Sequence, residues 1–126
     1  MMAFSGNKAL LIATLLVVQT GCSTLPPRAQ RYDSFAEYAE SVFRHQNELT
    51  SRLIMMDEDG ALGDNARLQN AEQEMNDACY LLNEYAEHEM AGESMGLFFK
   101  RQVQASIEKC DRKIQKLETL LPKTPP

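Results

Sequence analysis

The chain has 126 residues, of which 44% are hydrophobic and 25% are charged, and its formal net charge is −5 at pH 7. This length is enough for one small domain. The net acidity excludes nucleic acid as a partner, because binding to a phosphate backbone requires a basic surface. Helix-forming residues are abundant, there is no tryptophan and there are only six glycines, which favours an all-α fold.

The first residues of the chain have the layout of a secretory signal peptide. Lys8 precedes an uncharged run over residues 9–18 that is apolar except for Thr14, and a small residue, Gly21, precedes Cys22. A basic residue, an apolar run and a small residue before the cleavage site are typical of such signals. The apolar run is too short for a membrane-spanning helix, which needs about 20 residues.

This segment resembles the signal peptide of bacterial lipoproteins, with Gly21 and Cys22 matching and Gln19 in place of the usual aliphatic residue. The resemblance implies that residues 1–21 are removed and that Cys22 is acylated, so that the lipid holds the protein at a membrane. Ser23, which stands where aspartate would retain a lipoprotein in the inner membrane, implies the outer membrane. The alternatives are an ordinary cleaved signal with a chance cysteine, or an uncleaved anchor.

A short tether over residues 22–32 joins the lipid to the folded domain. Pro26 and Pro27 stiffen the tether and exclude a helix across them. Its fully extended reach is about 30 Å, so we expect the domain of residues 33–121 to lie close to its membrane. Residues 122–126 form a tail that we expect to be disordered.

The first helix is predicted over about residues 34–57. Ser34 and Glu37 form a capping box at its start, and Gly60 is a typical stop just beyond its end. Apolar residues recur every seven positions and form one stripe along the helix. The stripe consists of Phe35, Val42, Leu49 and Met56, widened by Tyr38, Ala39 and Leu53.

The second and third helices are predicted over about residues 65–91 and 95–121. Asn65 is a favourable cap for the second helix, Gly92 ends it and Pro122 ends the third. The stripe of the second helix consists of Leu68, Ala71, Met75, Ala78, Cys79, Leu82, Ala86 and Met90. The stripe of the third consists of Val103, Ile107, Cys110, Ile114, Leu117 and Leu121.

Short connections make consecutive helices antiparallel neighbours, so the sequence predicts an all-α, antiparallel three-helix bundle. Folding the chain at its turns places Phe35 opposite Tyr85, apolar against apolar. Residues 64–91 carry a net charge of −6 and residues 97–121 a net charge of +3. These opposite charges favour the second and third helices as neighbours, although each exposed pair contributes only about 0–1 kcal/mol.

Cys79 and Cys110 are the two cysteines that remain once Cys22 carries lipid. Both lie in apolar stripes, about equally far from the turn between the second and third helices. In an oxidising compartment such a pair is typical of a disulfide, and the alternative is two buried thiols in a helical core. We therefore expect a Cys79–Cys110 bond across this hairpin.

The two histidines, His45 and His88, do not predict a metal site. The helical register separates them by roughly 20 Å along the bundle, too far for one ion. Glu84 lies one turn from His88, and we interpret this pair as part of a solvated polar face. The sequence contains no nucleophile motif, phosphate-binding loop or haem-attachment motif, so it predicts neither an enzyme nor a cofactor.

Tyr32, Phe43 and Ile54 are spaced by eleven residues, which is close to three helical turns. They therefore share one side of the first helix, offset from its main stripe, while Phe98 lies outside the stripe of the third helix. These four residues are candidates for a partner-binding surface. The alternative, which we favour, is that the first helix contacts two neighbours and needs a wide apolar arc.

Together these features predict a non-enzymatic, lipid-anchored helical protein of the cell envelope, on the periplasmic side of the outer membrane. Its expected work is binding to another envelope protein, as a scaffold or as an accessory of an assembly. The alternative class is a periplasmic protein that binds a small ligand or a metal ion through the Glu84–His88 face and nearby methionines.

Overall fold

The computed structural model of the protein describes residues 31–123. Helix α1 spans Phe35–Glu58, α2 spans Ala66–Ala91 and α3 spans Leu97–Leu120. This part of the chain is an all-α three-helix bundle without strands, which confirms the predicted fold class. None of its helices is long and apolar enough to cross a membrane. The predicted signal peptide, Cys22 and residues 124–126 lie outside the described residues.

α1 begins at Phe35 because Ser34 has the extended conformation of a helix cap, with φ −144° and ψ 160°. The Ser34 Oγ accepts a hydrogen bond from the Glu37 amide at 3.2 Å, as a capping box requires. The return bond is shifted by one residue, because the Glu37 carboxylate accepts from the Asp33 amide at 2.9 Å. These two bonds fix where the chain enters the bundle.

The first two helices each end at a glycine in the left-handed conformation, Gly60 with φ 68° and Gly92 with φ 66°. In both turns the amide after the glycine donates to a carbonyl five residues earlier, at 2.8 and 3.0 Å. This is the Schellman arrangement, whose backbone conformation is unfavourable for side chains with a Cβ atom. At the start of α2, the Asn65 side chain accepts from the Leu68 amide at 3.2 Å, as expected of a cap.

α3 is slightly shorter than predicted at both ends. It begins at Leu97, two residues later than expected, because Gly96 is extended with φ −65° and ψ 151°. It ends at Leu120 because Leu121 is extended with ψ 144°, as is usual for a residue that precedes a proline. Pro122 therefore sets this end of the helix.

The core is formed by the apolar stripes of all three helices. Val42 and Leu49, both predicted to be buried, are 3% and 1% exposed. Phe35 contacts Tyr85 edge to face, with ring centroids 5.9 Å apart, which confirms the predicted pairing of α1 with α2. The buried apolar residues are Tyr38, Ala39, Val42, Leu49, Leu53, Leu68, Ala71, Met75, Ala78, Cys79, Leu82, Val103, Ile107, Cys110, Ile114, Leu117 and Leu121.

The prediction that Met90 belongs to the core is wrong, because 74% of this residue is exposed. Tyr85 already lies beside Phe35, the first residue of α1. The rest of α2 therefore projects past the start of α1, by about 9 Å at 1.5 Å per residue. α1 offers Met90 little surface to pack against, and the projecting end carries the turn between α2 and α3.

Cys79 and Cys110 form the expected disulfide, with Cα atoms 4.7 Å apart. Both are fully buried between α2 and α3, which share the most extensive interface of the bundle. Elsewhere in this interface the Glu74 carboxylate accepts hydrogen bonds from the Lys113 and Lys116 ammonium groups, each at 2.7 Å. These two cations lower the pKa of Glu74 to about 2, so the predicted attraction between α2 and α3 is present here.

α1 and α3 run parallel and are joined by polar side chains. The Tyr38 hydroxyl donates to Asp111 Oδ2 at 2.9 Å, and His45 Nε2 lies 3.1 Å from Glu118 Oε2. Both pairs are separated by 73 residues, so the same contact recurs one heptad later, as two parallel helices require. Asp111 is buried and also accepts from Gln115 Nε2 at 3.0 Å.

Candidate functional site

A groove of about 430 Å³ lies between the first half of α1 and the second half of α2. Ala36, Ala39 and Ala86 lie in it, and these side chains are too small to fill the space between the two helices. We call this cavity the proximal groove, because it lies at the end of the bundle where the chain enters α1. The larger apolar side chains that line it are Phe43, Leu82, Tyr85 and Met90.

Charged side chains stand at the edge of the proximal groove. Glu40 and Glu89 are acidic, and Arg44 is the one basic residue of the lining. Arg44 Nη2 lies 2.6 Å from Glu40 Oε1, which leaves the Glu89 carboxylate in excess. Burial, together with this carboxylate, raises the pKa of Tyr85 above its ordinary value, so the phenol stays neutral near pH 7. The groove therefore has an uncharged apolar floor and an acidic edge.

A second cavity of about 230 Å³, the distal groove, lies between α1 and α2 near their turn. It is lined by the apolar residues Leu53, Ile54, Leu62 and Leu68 and by the acidic residues Asp57 and Glu72. Phe43 in the proximal groove and Ile54 in the distal groove lie eleven residues apart on α1, which is roughly 16 Å. The proximal groove is mostly apolar and the distal groove is more polar. Because both lie between α1 and α2, we call them together the α1–α2 seam.

The structure separates the four residues of the predicted partner surface. Phe43 and Ile54 both lie on the α1–α2 seam; Phe43 is half-buried against the core, whereas Ile54 is 55% exposed. Tyr32 lies off the seam, and Phe98 is exposed in the first turn of α3. This apolar side of α1 therefore packs against the core at Phe43 and is open to solvent at Ile54.

Tyr32 departs from the predicted position because it precedes the extended cap Ser34, and helical spacing does not extend to it. Its ring packs against that of Tyr38, with centroids 5.4 Å apart. Its hydroxyl lies 2.6 Å from Ser41 Oγ. The last residue of the predicted tether is thus held against α1 and contributes to the fold.

His88 is held between two carboxylates at the end of α2. Its Nδ1 lies 2.6 Å from Glu93 Oε2 and its Nε2 lies 4.0 Å from Glu84 Oε1. The ring also contacts Phe99 edge to face, with centroids 5.8 Å apart. The carboxylates lie on opposite edges of the imidazole, so each ring nitrogen faces a single acid. Within residues 31–123 no group of three His, Cys, Asp or Glu residues is arranged to hold a metal ion.

The small residues that open the proximal groove were missed by sequence reasoning. Ala86 belongs to the predicted core stripe of α2, whereas the spacing of apolar residues gives Ala36 no role. The register that pairs Phe35 with Tyr85 also places Ala36 close to the level of Ala86, small against small. Two facing alanines between packed helices are a signal of a gap, because larger side chains are needed to fill an interface of ordinary helix spacing.

The chain matches no protein-family model, no curated protein and no solved structure. The function that the molecule supports must therefore follow from its own surface. Among the cavities of residues 31–123, the proximal groove of the α1–α2 seam is the one whose surface is mostly apolar, and charged side chains lie at its edge.

Proposed function

We propose that this protein is a lipid-anchored component of the cell envelope that binds a helix of another protein in the α1–α2 seam. The observation that carries the proposal is the mostly apolar proximal groove between α1 and α2, with the distal groove further along the same two helices. Exposed apolar surface with a polar rim is typical of a protein interface. A groove between two helices suits the apolar stripe of a third helix.

The chemistry of the seam favours an amphipathic helix with basic flanking residues. Phe43 and Ile54 are roughly 16 Å apart along α1, or about three helical turns. A partner helix with apolar residues at positions i, i+4, i+7 and i+11 reaches both grooves. Glu89 at one groove and Glu72 at the other are acidic, so lysine or arginine beside the partner's apolar stripe gives electrostatic complementarity.

In this proposal the lipid anchor is attached to Cys22. The basic residue, the apolar run and the small residue that precede Cys22 support this assignment. Cys22→Ala should abolish labelling by a fatty-acid probe and leave the precursor uncut. Ser23→Ala is the matched control, because it changes the neighbouring residue and keeps the acylated sulfur. Normal processing and unchanged membrane fractionation of the Cys22→Ala protein would contradict the anchor.

The seam is tested by reversing its chemistry at an exposed position. Met90 lines the proximal groove and is exposed, so Met90→Lys places a like charge beside a basic partner without removing core packing. Tyr80 is the matched control: it lies on the same helix, is 64% exposed and lines neither groove.

The assay is crosslinking in the native envelope, followed by purification of this protein and identification of what is attached to it. We expect a specific partner to be recovered with the parent protein and with Tyr80→Lys, but not with Met90→Lys. Both variants should melt like the parent, since neither residue is in the core. Retention of the same partner by Met90→Lys at parental yield would rule out the seam as the interface.

A further inference from the structure

The three most exposed large apolar side chains of residues 31–123 lie at one end of the bundle. Phe98 is 76% exposed, Met90 is 74% exposed and Leu97 is 67% exposed. Met90 lines the proximal groove, whereas Leu97 and Phe98 line neither groove of the seam. We call Leu97 and Phe98 the hairpin tip, because they follow the turn between α2 and α3. Two adjacent exposed apolar side chains of this size favour a contact outside the domain.

The hairpin tip lies at the end of the bundle where the chain enters. Phe35, the first residue of α1, contacts Tyr85 on α2, and α2 continues to Ala91 beyond that contact. The turn and the start of α3 therefore project about 9 Å past the start of α1. The described chain begins at residue 31, three residues before the cap of α1, so it enters the bundle at this same end.

We propose that the hairpin tip inserts its two side chains into the headgroup region of the membrane that holds Cys22. This inference rests on the lipid anchor of the proposed function. Cys22 and Arg31, the first described residue, are nine positions apart in the sequence and so at most about 30 Å from each other, which keeps the tip at high local concentration near the bilayer. Lipid anchors hold more firmly when a second contact accompanies the acyl chains.

The charge around the tip indicates an apolar contact rather than an electrostatic one. Lys100 and Arg101 follow the tip in α3, while Glu87 and Glu89 near the end of α2 and Glu93 in the turn precede it. Three acids outnumber two bases, so the tip has no net attraction for anionic headgroups. Binding should therefore occur on zwitterionic lipid and change little with added salt.

The backbone at the tip limits how deep it goes. Amides in the first turn of a helix have no intrahelical acceptor, and Gly96 gives α3 no side-chain cap. Such groups need water or headgroup oxygen atoms and are costly to place in hydrocarbon. The tip therefore stays in the headgroup region, which orients the bundle with the proximal groove near the membrane and the distal groove away from it.

The absence of tryptophan from the chain allows a direct test. Phe98→Trp and Ile54→Trp each introduce a single tryptophan at an exposed apolar site, at opposite ends of a bundle about 30 Å long. The full mature protein of each variant is reconstituted into phosphatidylcholine vesicles, with and without lipid brominated near the headgroup, a short-range fluorescence quencher. Leu97→Trp is a second tip variant in case Phe98→Trp does not fold.

We expect tryptophan at position 98 to shift its emission to shorter wavelength and to lose most of its intensity to brominated lipid. Tryptophan at position 54 should show neither change. If the protein stays on the vesicles and neither tip position is quenched, the tip contact is overturned and the anchor is left intact. Equal quenching at positions 54 and 98 also overturns the tip contact, because the bundle would then lie flat on the membrane. Protein that does not stay on vesicles at all overturns the anchor as well.

Discussion

Removing the Cys79–Cys110 disulfide should remove a large part of the stability of the bundle. The bond joins residues 31 positions apart, and the chain-entropy treatment of a loop of this size gives about 4 kcal/mol at 25 °C. Domains this small unfold with a total free energy of about 5–15 kcal/mol. One covalent bond between α2 and α3 therefore provides a substantial fraction of the total.

Both cysteines are fully buried, so a reductant reaches the sulfur atoms only when the hairpin opens. We expect the folded protein to keep its disulfide in reductant alone and to lose it in reductant with urea. Replacing both cysteines with alanine also removes buried sulfur atoms, which adds a packing loss to the entropic one. Reduced parent protein therefore separates the two contributions.

The assay is urea unfolding followed by circular dichroism for the oxidised parent, the reduced parent and the double variant Cys79→Ala/Cys110→Ala. The midpoint should fall in both proteins that lack the bond, while their helicity without urea is retained. The control is the double variant, which reductant should leave unchanged. If the free energy of unfolding of the reduced parent falls by less than about 0.5 kcal/mol, the range of exposed substitutions, the reasoning is refuted.

Three further predictions concern single side chains. Leu49 is fully packed, so Leu49→Ala should lower the free energy of unfolding by about 2–5 kcal/mol, whereas Ile54→Ala on the exposed surface should change it by under about 0.5 kcal/mol; equal urea midpoints would contradict this. The pKa of Glu74 is lowered from 4.5 to about 2, so its ion pairs stabilise fully above pH 4.5 and their contribution is lost as the pH falls towards 2. Glu74→Gln should therefore reduce the change of melting temperature with pH between pH 4.5 and about 2, and a pH dependence equal to that of the parent would be inconsistent with the pairing. Gln46 is buried and its Oε1 has no hydrogen-bond partner among residues 31–123, so Gln46→Met should raise the free energy of unfolding by about 1 kcal/mol; a lower melting temperature would argue against it.

The fold and the disulfide were predictable because both depend on local pattern and chain connectivity. Apolar spacing defines one face of each helix, and short turns decide which faces meet. Cys79 and Cys110 lie on such faces at equal distances from their turn, so they come level without further information. The helix ends follow from local chemistry as well, as Ser34 and Gly92 show.

Features that depend on how far one helix extends past another were not predictable in this way. Met90 has the same spacing as the buried residues of α2, but α2 extends past the first residue of α1, so α1 does not cover Met90. The buried carboxylate of Asp111 depends on Tyr38, which is 73 residues away in sequence. The grooves of the seam depend on the separation of α1 and α2, which spacing along one helix does not reveal.

The central claim, that a partner helix occupies the α1–α2 seam, is tested most directly by site-specific photocrosslinking in the native envelope. Ala36 lies in the proximal groove and is exposed, while Ala105 is an exposed alanine on α3 that lines neither groove. A photoreactive residue at position 36 should give one discrete adduct that is absent from position 105 and lost with Met90→Lys. Its crosslinked peptide should be an amphipathic helix with basic flanks. The absence of an adduct at position 36, or equal adducts at both positions, would contradict the claim.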